Sequence, residues 1–187
     1  MPTPRLHPDS AAILLIDLQE KLVPVMRDRK TLVRRCARLV QGAHILRVPL
    51  LVTEQYPRGL GETVGEVARH FISPHCIEQK TRFSACITPI QGQLESLNIQ
   101  TVVLAGVEAH VCVLGTCLDL LDAGYQVMLA NDAISSRRSS DMRAAVQRMV
   151  QAGAIPTTVE TVLMELIGDA AAPGFREVRH LITSLDG

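Results

Sequence analysis

Val102-Val-Leu-Ala-Gly-Val-Glu-Ala-His-Val-Cys112 decides the fold, because one hydrophobic pattern ends inside it and another begins. Val102 to Ala105 is short, continuous and β-branched, the pattern of a strand buried on both faces of a parallel sheet. Gly106 permits a sharp exit from that strand. From His110 the spacing becomes helical, with Val111, Leu114, Leu118 and Leu121 on one face and Gly124 where a C-terminal cap belongs. Cys112 is thereby expected in the first turn of a helix that starts at a strand's carboxyl end. Unpaired backbone N–H groups and the positive end of the helix dipole meet there, which lowers a thiol's pKa. Two readings of Cys112 stand at this point: a thiolate nucleophile, or a small buried apolar residue, the commonest state of a free cysteine.

Outward from this stretch, strand-like runs alternate with helical patterns along the whole chain. Strands are expected at 12–16, 50–53, 76–79, 101–105, 126–130 and 155–159. Between them come a long helix through Leu46, stopped by Pro49, a loop at 55–65, a short helix through Phe71, and helices at 89–97 and 140–152. The tail, 160–185, reads as helical with a break near Pro173-Gly174. The 187 residues suit one domain spanning 1–187. The expected class is α/β, a doubly wound parallel sheet of six strands in the order 3-2-1-4-5-6 with helices on both faces. In that order strands 1 and 4 adjoin at the topological switch point, and ligands of open α/β sheets bind in the crevice outside the strands' carboxyl ends there.

Three residues with usable chemistry fall at those ends. Strand 1 runs into Asp17, strand 3 into Lys80, and strand 4 feeds Cys112. Asp17 and Cys112 face each other across the switch point, and the lysine stem is long enough to reach back from two strands away. A cation beside a thiol stabilises the thiolate, and a carboxylate can take the thiol proton and return it to a leaving group. Blander readings remain open. Asp17-Leu-Gln-Glu20 fits a helix-capping box, and Lys80 fits a solvated loop cation. His110 stands two residues before Cys112, a spacing that points the two side chains apart on a helix and argues against a dyad.

Composition excludes several classes. Lys plus Arg and Asp plus Glu number 19 each, so no global charge points to nucleic acid or a membrane surface. No apolar run is long enough to span a bilayer, and Met1-Pro-Thr-Pro-Arg-Leu-His-Pro8 lacks the pattern of a signal peptide. The five cysteines form no CxxC pair, which suits a reducing cytoplasm. A mean hydropathy of +0.19 in so small a chain points to a buried homo-oligomer interface, dimer or higher. The histidines show no metal-ligand spacing, and the glycines form neither GxGxxG nor a P-loop, so neither metal nor other cofactor is expected.

The motifs Ile16-Asp-Leu-Gln19, Thr53-Glu-Gln-Tyr-Pro57, Lys80-Thr-Arg-Phe-Ser-Ala85, Gly106-Val-Glu-Ala-His-Val-Cys112 and Asp132-Ala-Ile-Ser-Ser-Arg137 together resemble the isochorismatase-like cysteine hydrolases. That family includes nicotinamidases and N-carbamoylsarcosine amidohydrolases. The likeness covers nearly the whole chain, and its ending looks most like the small isochorismatase-domain-containing branch. The resemblance implies an Asp17–Lys80–Cys112 triad and a cis peptide at Val107–Glu108. It also implies an oxyanion hole formed by the backbone N–H groups of Glu108 and Cys112, and a substrate pocket near Gln19, Leu22 and Phe83. Nicotinamidases carry a metal site on Asp-x-His after strand 2, where this chain has Glu54-Gln-Tyr56. Some isochorismate-cleaving relatives lack the cysteine, so Cys112 points instead to acyl transfer on a small-molecule substrate with a C–N bond. Two alternatives keep the fold without that chemistry: a silent oligomeric scaffold or binding protein, and a redox-sensing thiol protein.

Overall fold

The structure, a computed structural model, describes residues 5–72 and 77–183. Six strands form one parallel sheet in the order β3-β2-β1-β4-β5-β6, as the alternating pattern predicts. They are β1 (Ala11–Ile16), β2 (Leu50–Gln55), β3 (Ile77–Lys80), β4 (Thr101–Val107), β5 (Gln126–Ser135) and β6 (Ile155–Thr157). The helices are α1 (Arg29–Leu46), the single turns α2 (Pro57–Leu60) and α3 (Gly65–Ala68), α4 (Thr88–Ser96), α5 (Leu114–Asp122), α6 (Ser139–Gln151), α7 (Val159–Ile167) and α8 (Phe175–Thr183).

Every residue of β1 and β4 is buried, and successive side chains feed opposite faces of the sheet. Ile13, Leu15, Val103 and Ala105 pack with α1, α7 and α8, whereas Leu14, Ile16, Val102 and Leu104 pack with α4, α5 and α6. Helices therefore cover both faces, which is why the central strands read as unbroken apolar runs.

Several boundaries differ from the sequence reading. Strand β4 continues through Gly106 to Val107, with Gly106 paired to Ile16 at a φ of 118°. A Cβ at Gly106 would land on the Ile16 carbonyl oxygen, so the glycine serves the close approach of β4 to β1 rather than a strand exit. Strand β5 runs to Ser135, with its register against β4 shifting between Leu104 and Gly106. Val159 opens α7 instead of closing β6, because the Thr158 hydroxyl accepts a hydrogen bond from the Thr161 N–H as an N-cap. The loop expected at 55–65 contains the turn α2. Cys76, the expected start of β3, lies outside the described residues.

Candidate functional site

Parallel strands end together, so β1, β2, β3 and β4 deliver their carboxyl-terminal residues to one edge. Ile16 is level with Thr53 on one side and Gly106 on the other, and Gln55 is level with Lys80. Asp17 follows β1 with a φ of 54° and Tyr56 follows β2 with a φ of 38°, so both strands leave through left-handed residues. Such backbone is sparsely populated for side chains other than glycine and clusters at ligand sites. No helix begins at Asp17; the next helical turn is the 3₁₀ segment Val23–Val25. The capping-box reading of Asp17 is thereby removed.

Both oxygens of Asp17 are engaged and the residue is fully buried. The Thr53 hydroxyl donates to Oδ1 at 2.8 Å, and Lys80 Nζ donates to Oδ2 at 2.7 Å. Lys80 is no solvated loop cation, since its side chain is as shielded as that of Asp17. Its ammonium also reaches Gln55 Oε1 at 2.8 Å, the Phe83 carbonyl at 3.0 Å and the Arg82 carbonyl at 3.3 Å. A buried ammonium needs such acceptors, and the loop after β3 folds back to supply two of them.

Cys112 sits in a π turn, Ala109–Val113, that bridges β4 and α5. Such turns recur at functional sites. Its thiol lies within the electrostatic reach of both Asp17 and Lys80. The Glu108 carbonyl accepts from Val111 at 3.0 Å and Val113 at 3.2 Å, passing over the Cys112 N–H between them. The Thr116 hydroxyl donates to the Cys112 carbonyl at 2.6 Å and accepts from the Ala85 N–H at 2.8 Å. One buried hydroxyl thus ties the turn carrying the thiol to the loop that wraps the lysine.

The electrostatics correct one expectation. The thiol pKa is not lowered at this helix start but pushed up to about 12, first by burial and then by the Asp17 charge, which outweigh Lys80. Asp17 is also raised from its ordinary value, by burial, against the opposing pull of Lys80 and its hydrogen-bond donors. The resting arrangement is a neutral thiol beside a carboxylate–ammonium pair.

The remaining sequence candidates separate. The peptide bond Val107–Glu108 is cis. The Glu108 carboxylate accepts from Arg137 N at 3.1 Å and Nε at 3.0 Å. His110 turns to Ser136 Oγ, 3.0 Å from Nδ1. Gln19 is fully buried, and its Nε2 donates to the carbonyls of Gln55 at 2.9 Å and Gly61 at 2.7 Å while its Oε1 accepts from Gln55 N at 2.8 Å. With both amide hydrogens committed to loop backbone, Gln19 ties the loop after β1 to the end of β2 and the turn after it. Leu22 packs half-buried against the α1 side of the core, and Phe83 is 64% exposed. Among the described residues no group of His, Cys, Asp and Glu is placed to hold a metal ion. Thr53, Gln55 and Thr116 are site residues that sequence reasoning missed. Thr53 and Gln55 alone had a signal, their place at the end of β2 between Asp17 and Lys80.

Residues 11–161 match the model of the isochorismatase domain. The zebrafish (Danio rerio) protein named isochorismatase domain-containing protein 2 is 40% identical over 179 residues, covering 95% of this chain and 89% of its own length. Among solved structures, one described as MAR1 ribonuclease from Caenorhabditis elegans superposes with a TM-score of 0.94 at 41% identity, over 98% of this chain and 95% of its own. The YcaC product of Escherichia coli, described as an octameric hydrolase of unknown specificity, superposes with a TM-score of 0.85 at 25% identity, over 100% and 98%.

Proposed function

This chain belongs to the isochorismatase family, whose solved members include hydrolases, and from that membership we propose that it is a cysteine hydrolase of a small-molecule amide or carbamoyl C–N bond. The observation that carries the proposal is the buried Lys80–Asp17 contact of 2.7 Å with the Cys112 thiol beside it. In the reaction, Cys112 Sγ attacks the carbonyl carbon as its proton passes to Asp17. The oxyanion is received by the backbone N–H groups of Glu108 and Cys112. The tetrahedral adduct collapses with cleavage of the C–N bond, and Asp17 protonates the departing amine. Water, giving a proton to Asp17, then hydrolyses the thioester, releasing the acid and restoring the thiol. Lys80 keeps the carboxylate charged while the thiol is protonated and holds it in place. The raised Asp17 pKa supports this role, because it narrows the gap to the thiol from which the proton must come.

A homo-oligomer fits the same reading. Tyr56 and Phe83, which follow the ends of β2 and β3, are 55% and 64% exposed, and the E. coli neighbour is described as octameric. The decisive experiment incubates wild type, Cys112→Ala and Asp17→Asn with a panel of amides and carbamoyl compounds, with an RNA oligonucleotide included. Hydrolysis by wild type, an acyl group trapped on Cys112 by mass spectrometry, and a loss of about 10³-fold or more in each variant are expected. Turnover that survives Cys112→Ala, or cleavage of RNA alone, refutes the proposal.

A further inference from the structure

Helix α1 breaks two local rules at once. Its eighteen residues include Arg29, Lys30, Arg34, Arg35 and Arg38 and no acid. Arg29 and Lys30 stand in the first turn, where the helix dipole disfavours cations, and no side chain caps that end. Lys30, Arg34 and Arg38 follow at four-residue spacing on one face, where like charges repel. Arg35 pairs with Asp132 at 3.4 Å on another face, and Arg29 donates to the Pro24 carbonyl at 3.1 Å. A chain whose charges balance at 19 and 19 has put an unfavourable concentration of them here.

The same face lines a cavity of about 660 Å³ to which no triad residue contributes. Arg69 and His70 also line it, and Glu66 is the one acidic residue among the described residues that do. The floor is apolar, with Val23, Val33, Ala37 and Val64. The electropositive setting registers on His70, whose pKa is lowered by burial and then by Arg69 and His44.

We propose that this groove binds an oligophosphate anion. A helical rise of about 1.5 Å per residue sets Lys30 and Arg34 about 6 Å apart in a row along the groove, with the buried Arg38 one turn further on. That row suits linked phosphoryl groups better than a single one. Guanidinium groups bind phosphate oxygens through paired N–H donors, and the apolar floor accommodates an uncharged body attached to the anion. A merely solvated basic face has no reason to enclose a cavity or to load the start of a helix against its dipole.

The test is calorimetric titration of the full chain with inorganic pyrophosphate at constant ionic strength, beside Lys30→Gln, Arg34→Gln, Arg69→Gln and the exposed control Arg143→Gln. Saturable one-to-one binding is expected, weakened about tenfold or more by each groove substitution and unchanged by the control. Lys30→Gln should also melt at a higher temperature than wild type without ligand, because it relieves the dipole and the repulsion. Opposite signs on binding and stability distinguish a ligand site from a structural cation. Absent saturation, equal weakening by the control, or binding of an RNA oligonucleotide that pyrophosphate does not displace overturns the proposal.

Discussion

Replacing Lys80 by Met tests the site at its most buried contact. Lys80 and Asp17 side chains are both fully shielded, 2.7 Å apart. Methionine keeps much of the stem and removes the ammonium, so the perturbation is mainly electrostatic. It leaves the carboxylate with the Thr53 hydroxyl and Cys112 thiol, and takes a donor from Gln55 Oε1 and the carbonyls of Arg82 and Phe83. Removing one partner of a buried pair costs about 3–5 kcal/mol, the loss expected at about pH 8. Its pH dependence follows from Asp17. Burial raises this carboxyl above 3.8 even with Lys80 present. A carboxyl raised on folding favours the folded state most below its unfolded pKa, and that advantage falls as pH climbs through the folded value. Without Lys80 the folded value climbs further, so wild type and variant diverge most at about pH 8 and converge as the pH falls through the folded value of each. Urea unfolding at about pH 8 and at acid pH, read as midpoint and slope, measures the difference. The double variant Asp17→Asn, Lys80→Met should recover part of the loss, since the charges leave together. A loss below about 1 kcal/mol at pH 8, or an equal loss at both pH values, refutes the reasoning.

Three other substitutions probe the neighbouring links. Asp17→Asn removes the anion that helps raise the Cys112 pKa and also removes the base, so iodoacetamide should alkylate Cys112 faster at alkaline pH while amide hydrolysis is lost. Thr116→Val abandons the Cys112 carbonyl and the Ala85 N–H together, costing about 1–3 kcal/mol in urea unfolding and slowing Cys112 alkylation, with Thr116→Ser restoring both. Gly106→Ala forces a Cβ against the Ile16 carbonyl at a φ of 118°, and the chain should fail to give a cooperative thermal transition by circular dichroism.

The strand order was legible because β1 and β4 are wholly apolar, and their adjacency brings Asp17 and Cys112 to one edge without any knowledge of side-chain contacts. The length of β5 was not, because Asn131-Asp132 interrupts its apolar run. Asp132 is tolerated there through bonds that no local pattern shows, from the Val159 N–H at 2.9 Å and to Arg35 at 3.4 Å. The burial of Lys80 was equally hidden, since two of its acceptors are carbonyls of its own following loop. Thr116 lies on a helical face that reads as core, and its hydroxyl acquires a role only once the Ala85 N–H is folded against it.

The misjudged thiol pKa favours one of the three functional readings over another. A redox-sensing cysteine has a low pKa and an exposed thiolate, since oxidants attack the ionised sulfur. Cys112 is 6% exposed, and its thiol is pushed up to about 12. At neutral pH the thiol is therefore the resting form, which disfavours sensing by the free sulfur. A hydrolase is not hindered in this way, because its thiol need ionise only as the carbonyl is attacked, when the negative charge moves onto the substrate oxygen. The same argument weighs against a silent scaffold. Holding a carboxylate and an ammonium dry beside a thiol costs stability that apolar residues of similar volume would not. Binding a partner gives no return on that cost, whereas proton transfer between the buried carboxylate and thiol does.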